Sequence, residues 1–261
     1  MKVKVKKINA FSVYFVILLT FINLVSCKSK SYHNYEVKGS KININETLNA
    51  KPSIEEFIAP YRHHIDKDLD SILAFCPETL DKSKGKWESN IGVFMANATI
   101  ELANPIFMKR ENKSLDICLL NHGGIRSIIP KGNVTTRTAF NVMPFENSVI
   151  VVGLSGLKIR ELAEYFIKEK KPHPLHGLKI FLNKNQEITK LEVKNKPLDD
   201  AKIYYVATSD YLANGGDSMT FFVESNLKYD LDYKLRNLLI DYFKKVDTID
   251  IISEKIVLDE N

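Results

Sequence analysis

The sequence predicts an α/β (α+β) domain, a mixed β-sheet flanked by helices. Two observations lead there. Stretches with helical apolar spacing alternate with short β-branched runs from about residue 51 onward, and two glycine-rich turns follow directly on two of those runs. The loops able to meet a ligand therefore fall at strand ends, clustered at one edge.

With 261 residues and 44% hydrophobic side chains, the chain is long enough for one well-buried domain of ~200 residues plus extra segments, and it shows no internal repeat. The formal net charge is +5, but Lys2, Lys4, Lys6 and Lys7 precede an apolar run, and residues 1–26 contain no acid. The basic balance is thus mostly a targeting feature, so no nucleic-acid partner is expected.

Residues 1–26 read as a signal peptide, with a lysine-rich start, an apolar stretch over about 10–25 and small residues before a break. An uncleaved transmembrane anchor is the alternative, and the shortness of the apolar stretch argues against it. The ending Leu24-Val25-Ser26-Cys27 resembles the lipobox of bacterial lipoproteins. That resemblance implies an acylated Cys27 as the first mature residue, anchoring the chain in the bacterial cell envelope on the periplasmic side of a membrane. Two or three acyl chains hold stably where one does not, at ~0.8 kcal/mol per buried methylene. Residues 27–50, rich in Lys, Ser, Asn and Tyr, form a polar tether, and residues 51–261 the domain.

Ser53-Ile54-Glu55-Glu56 opens the domain's first helix with a serine cap and first-turn acids. Ile54, Ile58, Tyr61, Ile65, Leu69 and Leu73 recur at helical spacing, with Pro60 as a point of kinking. His63 and His64 point about 100° apart on this helix, so they are solvated or core-edge residues, not a metal pair. A polar loop over residues 81–88 leads into a second helix beginning at Ser89-Asn90-Ile91-Gly92. Leu115, Ile117, Leu119 and Leu120 make a strand-type run that stops at Asn121-His122-Gly123-Gly124, where a backbone without Cβ crowding can press against a ligand. Arg126 follows with a planar fork of donors suited to carboxylate or phosphate. Gly132-Asn133 turns the chain before Thr135, Thr136 and Thr138. Residues 149–154 read as a buried strand, Ser155-Gly156 as a helix start, residues 172–178 as a loop into a strand over 179–183, and residues 183–187 as a hairpin-like turn. A strand over 202–209 delivers Tyr211 and the Gly215-Gly216-Asp217 loop, and residues 230–245 read as an amphipathic helix. Cys76 and Cys118 sit in apolar surroundings; they could pair in an oxidising compartment, but buried free thiols are the default.

Three motifs carry a resemblance: Asn121-His122-Gly123-Gly124-Ile125-Arg126, Pro144-Phe145-Glu146-Asn147, and Tyr211 through Gly215-Gly216-Asp217. Their order and spacing resemble the C-terminal, substrate-binding domain of the bacterial 5'-nucleotidases over roughly residues 53–222. The resemblance implies a nucleoside or nucleotide ligand, its base between Phe145 and Tyr211, with Asn147 at the base edge, Asp217 at the ribose hydroxyls and Arg126 on the ribose or phosphate side. It also implies contacts from Asn121, Gly123, Gly124, Gly215 and Gly216, and from Gly177, where the family often has Ser-Gly and this chain His176-Gly177. Such stacking gains ~1–3 kcal/mol per base. Aligned on Asn90, the places of two upstream family arginines hold Asp81 and Gly85, leaving Lys84 or Lys86 as point-charge substitutes.

In that family hydrolysis belongs to a separate metallophosphatase domain whose two metals activate water. Its Asp-x-His and Gly-Asn-His patterns do not occur in this sequence, and no Walker loop or Cys-His cluster does either. No catalytic or metal-ligating residue is expected in this chain, with divalent metals only in a partner. Two functions compete: the nucleotide-binding component of a periplasmic 5'-nucleotidase-type hydrolase, completed by a separately encoded metallophosphatase and acting in nucleotide catabolism, and a stand-alone nucleoside- or nucleotide-binding lipoprotein without catalysis. An exposed apolar patch beside the Gly-Gly-Asp loop would favour the first.

Overall fold

The computed structural model describes residues 9–24, 36–252 and 254–260. Cys27, the expected lipidation position, lies outside the described residues. The chain forms two units, Met1–Pro52 and Ser53–Asn261. The first contains one apolar helix, α1 (Ala10–Leu24).

The second unit runs α2 (Pro52–Leu69), β1 (Ile72–Cys76), α3 (Asn90–Glu111), β2 (Ile117–Leu119), β3 (Gly132–Thr135), α4 (Thr136–Val142), β4 (Ser148–Ser155), α5 (Gly156–Glu169), β5 (Leu175–His176), β6 (Leu178–Leu182), β7 (Ile188–Val193), β8 (Lys196–Pro197), β9 (Ile203–Ser209), α6 (Asp210–Ala213), β10 (Lys228–Lys234), α7 (Leu235–Lys245) and β11 (Val257–Asp259). The central sheet has the order β10-β4-β9-β2-β5 and is mixed: β2 and β9 run parallel, the other pairs antiparallel. A smaller sheet, β11-β6-β7-β8, and the β1-β3 pair complete the fold.

The central sheet is buried on both faces, which is why β4 reads as a continuous apolar run. Val149, Val151, Cys118 and Ala207 join one core with α3 and α7, where Phe94 stacks on Phe243 at 5.9 Å. Ile150, Val152, Ile117 and Val206 join the other, with α5 and β6. Ser89 caps α3 by accepting from the Gly92 amide, and Ser155 caps α5 by accepting from that of Lys158. Cys76 and Cys118 are buried free thiols, and burial pushes the Cys118 thiol up to about 12.

Two expectations are corrected. The first helix stops at Leu69, and Leu73 belongs instead to β1, whose 72–76 backbone pairs with β3. Residues 230–245 are not one helix: residues 228–234 extend the central sheet beside β4 before α7 begins. An edge register beside an apolar strand outweighed the helical spacing of Leu231, which faces the same core from the strand.

Candidate functional site

The glycine loop after β2 is held open from below. Asn121 leads into a single 3-10 turn, His122–Gly124. A Cβ on Gly124 would lie 2.7 Å from Asn121 Oδ1, so only glycine lets the asparagine lie across the turn. Asn121 Nδ2 in turn donates to Asp217 Oδ2 at 2.7 Å. From behind, His122 N–H donates to His173 Nδ1 (3.1 Å), and Lys82 Nζ donates to the carbonyls of Ile125 (2.5 Å) and His122 (3.3 Å). Burial and the nearby Arg126 guanidinium lower the Lys82 pKa. His173 is almost fully buried, and burial, reinforced by His122, pushes its pKa down to about 4, so its ring is the neutral acceptor this contact needs.

The Pro144–Asn147 turn is gripped by three consecutive residues at the β10–α7 junction. Lys234 Nζ donates to Glu146 O (2.8 Å), Leu235 N–H to Asn147 O (2.9 Å) and Arg236 Nη1 to Pro144 O (3.1 Å). Arg236, buried and lying 4.2 Å from the Phe140 ring centre, also pairs with the Glu146 carboxylate. Phe145 is thereby presented outward, 43% exposed, with the Arg126 guanidinium 5.8 Å from its ring centre.

The third element follows β9. Ser209 caps α6, and the Asp210 carboxylate beside it accepts from Asn147 Nδ2 at 2.7 Å. Gly215 (φ 89°), Asp217 (φ 50°) and Ser218 (φ 62°) take left-handed conformations that fold the loop back under the Tyr211 ring. Tyr211 O–H then donates to Asp217 Oδ1 (2.9 Å) and accepts from the Asp217 amide (3.2 Å), while Tyr165 O–H donates to Asp217 O at 2.7 Å. Burial, with Glu169 and Asp217 nearby, pushes the Tyr165 phenol up to about 12, so it remains a donor.

Asn121, Gly123, Gly124, Arg126, Phe145, Asn147, Tyr211 and Asp217 together line one cavity of about 560 Å³, with Glu146 at its rim. Gly215 and Gly216 lie on an adjoining groove that shares Asn147 and Tyr211 with it. Gly177 is not brought there. It lines a different cavity, of about 450 Å³, and its glycine character has a local cause: φ is 83° and a Cβ would strike the Asp116 carbonyl at 2.2 Å. Lys84 and Lys86 do not reach the cavity either. Lys86 lies over the Trp87 ring and bonds Gln186, while Lys82 meets the glycine loop. Sequence reasoning missed Lys82, His173, Asp210, Lys234 and Arg236. Only Asp210, next to Tyr211, had a local signal. Among the described residues no group of three or more His, Cys, Asp or Glu converges as a metal site.

The cavity is aromatic-walled, with an arginine, two asparagines and a carboxylate, and lies at the ends of mixed-sheet strands, a composition suited to a small, flat, polar ligand. Comparison with known proteins narrows this. Residues 74–224 match the family described as 5'-nucleotidase, C-terminal domain, and the chain belongs to that family. Among curated relatives, it is 24% identical over 237 residues to an apyrase of Tabanus yao (83% of this chain, 43% of the relative) and 25% identical over 239 residues to the 5'-nucleotidase of Bos taurus (81% and 41%). Among solved structures, it is similar to a 5'-nucleotidase precursor from Thermus thermophilus (TM-score 0.66, 24% identity, 79% of this chain and 43% of that one) and, in fold, to the NAD nucleotidase of Haemophilus influenzae (TM-score 0.60, 19% identity, 81% and 42%). The chain spans less than half the length of these relatives.

Proposed function

We propose that this chain is the nucleoside- or nucleotide-binding part of a 5'-nucleotidase-type phosphohydrolase, and that a metallophosphatase acting with it supplies the metal-activated water. The observation that carries this is the convergence of Arg126, Phe145, Asn147, Tyr211 and Asp217 on one cavity. In this reading Phe145 and Tyr211 stack on the two faces of the base, and Asn147 meets its edge. Asp217 accepts from ribose hydroxyls, and Arg126 faces the ribose or phosphate. The chain's own contribution is binding and orientation; the metals supply the nucleophile. Ile54, Phe57, Tyr61 and Ile65 on α2 are each more than half exposed, an apolar stripe that suits a protein partner, although it is not the patch beside the Gly-Gly-Asp loop that would separate the two readings. We also propose that the mature chain is anchored through lipid on Cys27 and faces the periplasm.

Two measurements test the reading. Calorimetry on the purified chain should detect nucleoside or nucleotide binding that Phe145→Ala or Tyr211→Ala weakens. The chain alone, with Mn²⁺, Zn²⁺ or Co²⁺, should release no phosphate from nucleotides, and a metallophosphatase recovered with it from native membranes should restore turnover. Metal-dependent release by the chain alone, abolished by a substitution within it, overturns the assignment of the chemistry.

A further inference from the structure

The cavity wall holds two side-chain amides, Asn121, which bonds Asp217, and Asn147, whose orientation is fixed by a group that does not enter that cavity. Asn147 Nδ2 donates to Asp210 Oδ1 at 2.7 Å. Asp210 is itself anchored: it opens α6 directly after the capping Ser209, its Oδ1 also accepts from the Tyr211 amide at 2.7 Å, and its backbone carbonyl accepts from Asn214 Nδ2 at 2.9 Å. An ionised carboxylate has only acceptors. Turning the amide over would set Asn147 Oδ1 against Asp210 Oδ1, two acceptors at hydrogen-bond distance. The amide is therefore locked, with its N–H side toward Asp210. Neither Asn147 Oδ1 nor Asp210 Oδ2 has a hydrogen-bond partner among the described residues, and both residues line the groove that adjoins the cavity. The edge thus offers two free acceptors and one remaining amide proton.

We propose that Asp210 is a specificity-determining residue which, by locking Asn147, makes the site select nucleosides whose base carries an amino group over those with a carbonyl at the same ring position. The inference rests on the nucleoside-binding role proposed above for this cavity. An exocyclic amine brings two protons to an edge dominated by acceptors, and its neighbouring ring nitrogen can take the remaining Asn147 proton, the bidentate pattern by which an amide reads adenine. In the same pose a carbonyl faces Asn147 Oδ1 acceptor to acceptor, beside the Asp210 charge, and the N–H of its neighbouring ring nitrogen faces the remaining Asn147 proton donor to donor. Phe145 and Tyr211 cannot discriminate in this way, because stacking tolerates every base.

The test is calorimetry of the purified full-length chain with adenosine, inosine, purine riboside, cytidine and uridine. Adenosine should bind roughly ten- to a hundredfold more tightly than inosine, and cytidine more tightly than uridine by a similar factor. Purine riboside, which lacks the amino group, should bind nearer to inosine than to adenosine. Asp210→Ala, which removes the oxygen that holds Asn147 Nδ2, frees Asn147 to turn and should bring the adenosine-to-inosine ratio to within about threefold, mainly by improving inosine. Equal affinity of the wild type for adenosine and inosine overturns the inference while leaving the binding role intact. An Asp210→Ala protein that folds and keeps the full preference also overturns it. If none of the five nucleosides binds, the inference and the proposed function fall together. The wild-type ratios decide the question even if the variant does not fold.

Discussion

Gly216→Ala isolates the proposed role of Tyr211 as a base platform from the rest of the fold. A Cβ at this position would lie 2.5 Å from Cε1 and Cζ and 2.6 Å from Cδ1 of Tyr211, against the ~3.5–4.0 Å of an ordinary carbon contact, so the ring must retreat by about 1 Å. The backbone has no need of glycine here for conformational reasons, since the positive φ in this loop belongs to Gly215, Asp217 and Ser218. Tyr211 is 47% exposed and can swing into solvent, so the stability effect should stay within the ~0.5 kcal/mol typical of surface substitutions. A ring displaced that far loses its 2.9 Å bond to Asp217 and one face of the stack. Losing the ~1–3 kcal/mol of a base–aromatic stack corresponds to roughly a 5- to 150-fold rise in Kd. Calorimetry with adenosine gives the affinity, and thermal unfolding shows whether the fold is intact. A Gly216→Ala protein that melts like the wild type and binds within twofold of it would refute the placement of Tyr211 as a base platform; Phe145→Ala in the same assay controls for the opposite wall.

Arg236→Met should weaken ligand binding severalfold while lowering the melting temperature only slightly. Its partner Glu146 is largely exposed, so the ion pair itself adds little stability, but the Pro144–Asn147 turn loses one of its three backbone anchors; an unchanged Kd would count against the grip on Phe145. His173 should make stability pH-dependent. Its folded-state pKa lies near 4, below the ordinary 6.5, so the unfolded chain binds the extra proton first, and the contribution present above pH 6.5 is lost as pH falls toward 4. His173→Asn, which offers an acceptor to His122 N–H without this titration, should show a shallower loss of stability in urea melts between pH 6.5 and 4, and an identical slope would contradict it. Mass spectrometry of the mature protein from its native host should find a diacyl or triacyl mass on Cys27; an unmodified chain still beginning at Met1 would exclude the anchor.

Much of this protein was legible in one dimension because the signals are local. Helical spacing before Leu69, the cap at Ser89, the β-branched run of β4 and the turn at residues 183–187 each depend on neighbours a few residues away. The three motifs were legible for a related reason: glycines that let a chain pass under a tyrosine or across an asparagine leave their mark beside the residues they serve. What the sequence could not contain was the pairing of distant segments. Residues 230–234 fall within a helical pattern, and only the open edge of β4 made them part of a strand over 228–234. Gly177 was expected at the site from the resemblance alone, yet its conformation answers to the Asp116 carbonyl between β2 and β5. The grip of Lys234 and Arg236 on Phe145's turn spans some ninety residues, and the His173 contact with the glycine loop spans 51. Such contacts depend on which strand ends meet, a consequence of burying both faces of one mixed sheet, and no spacing along the chain encodes it.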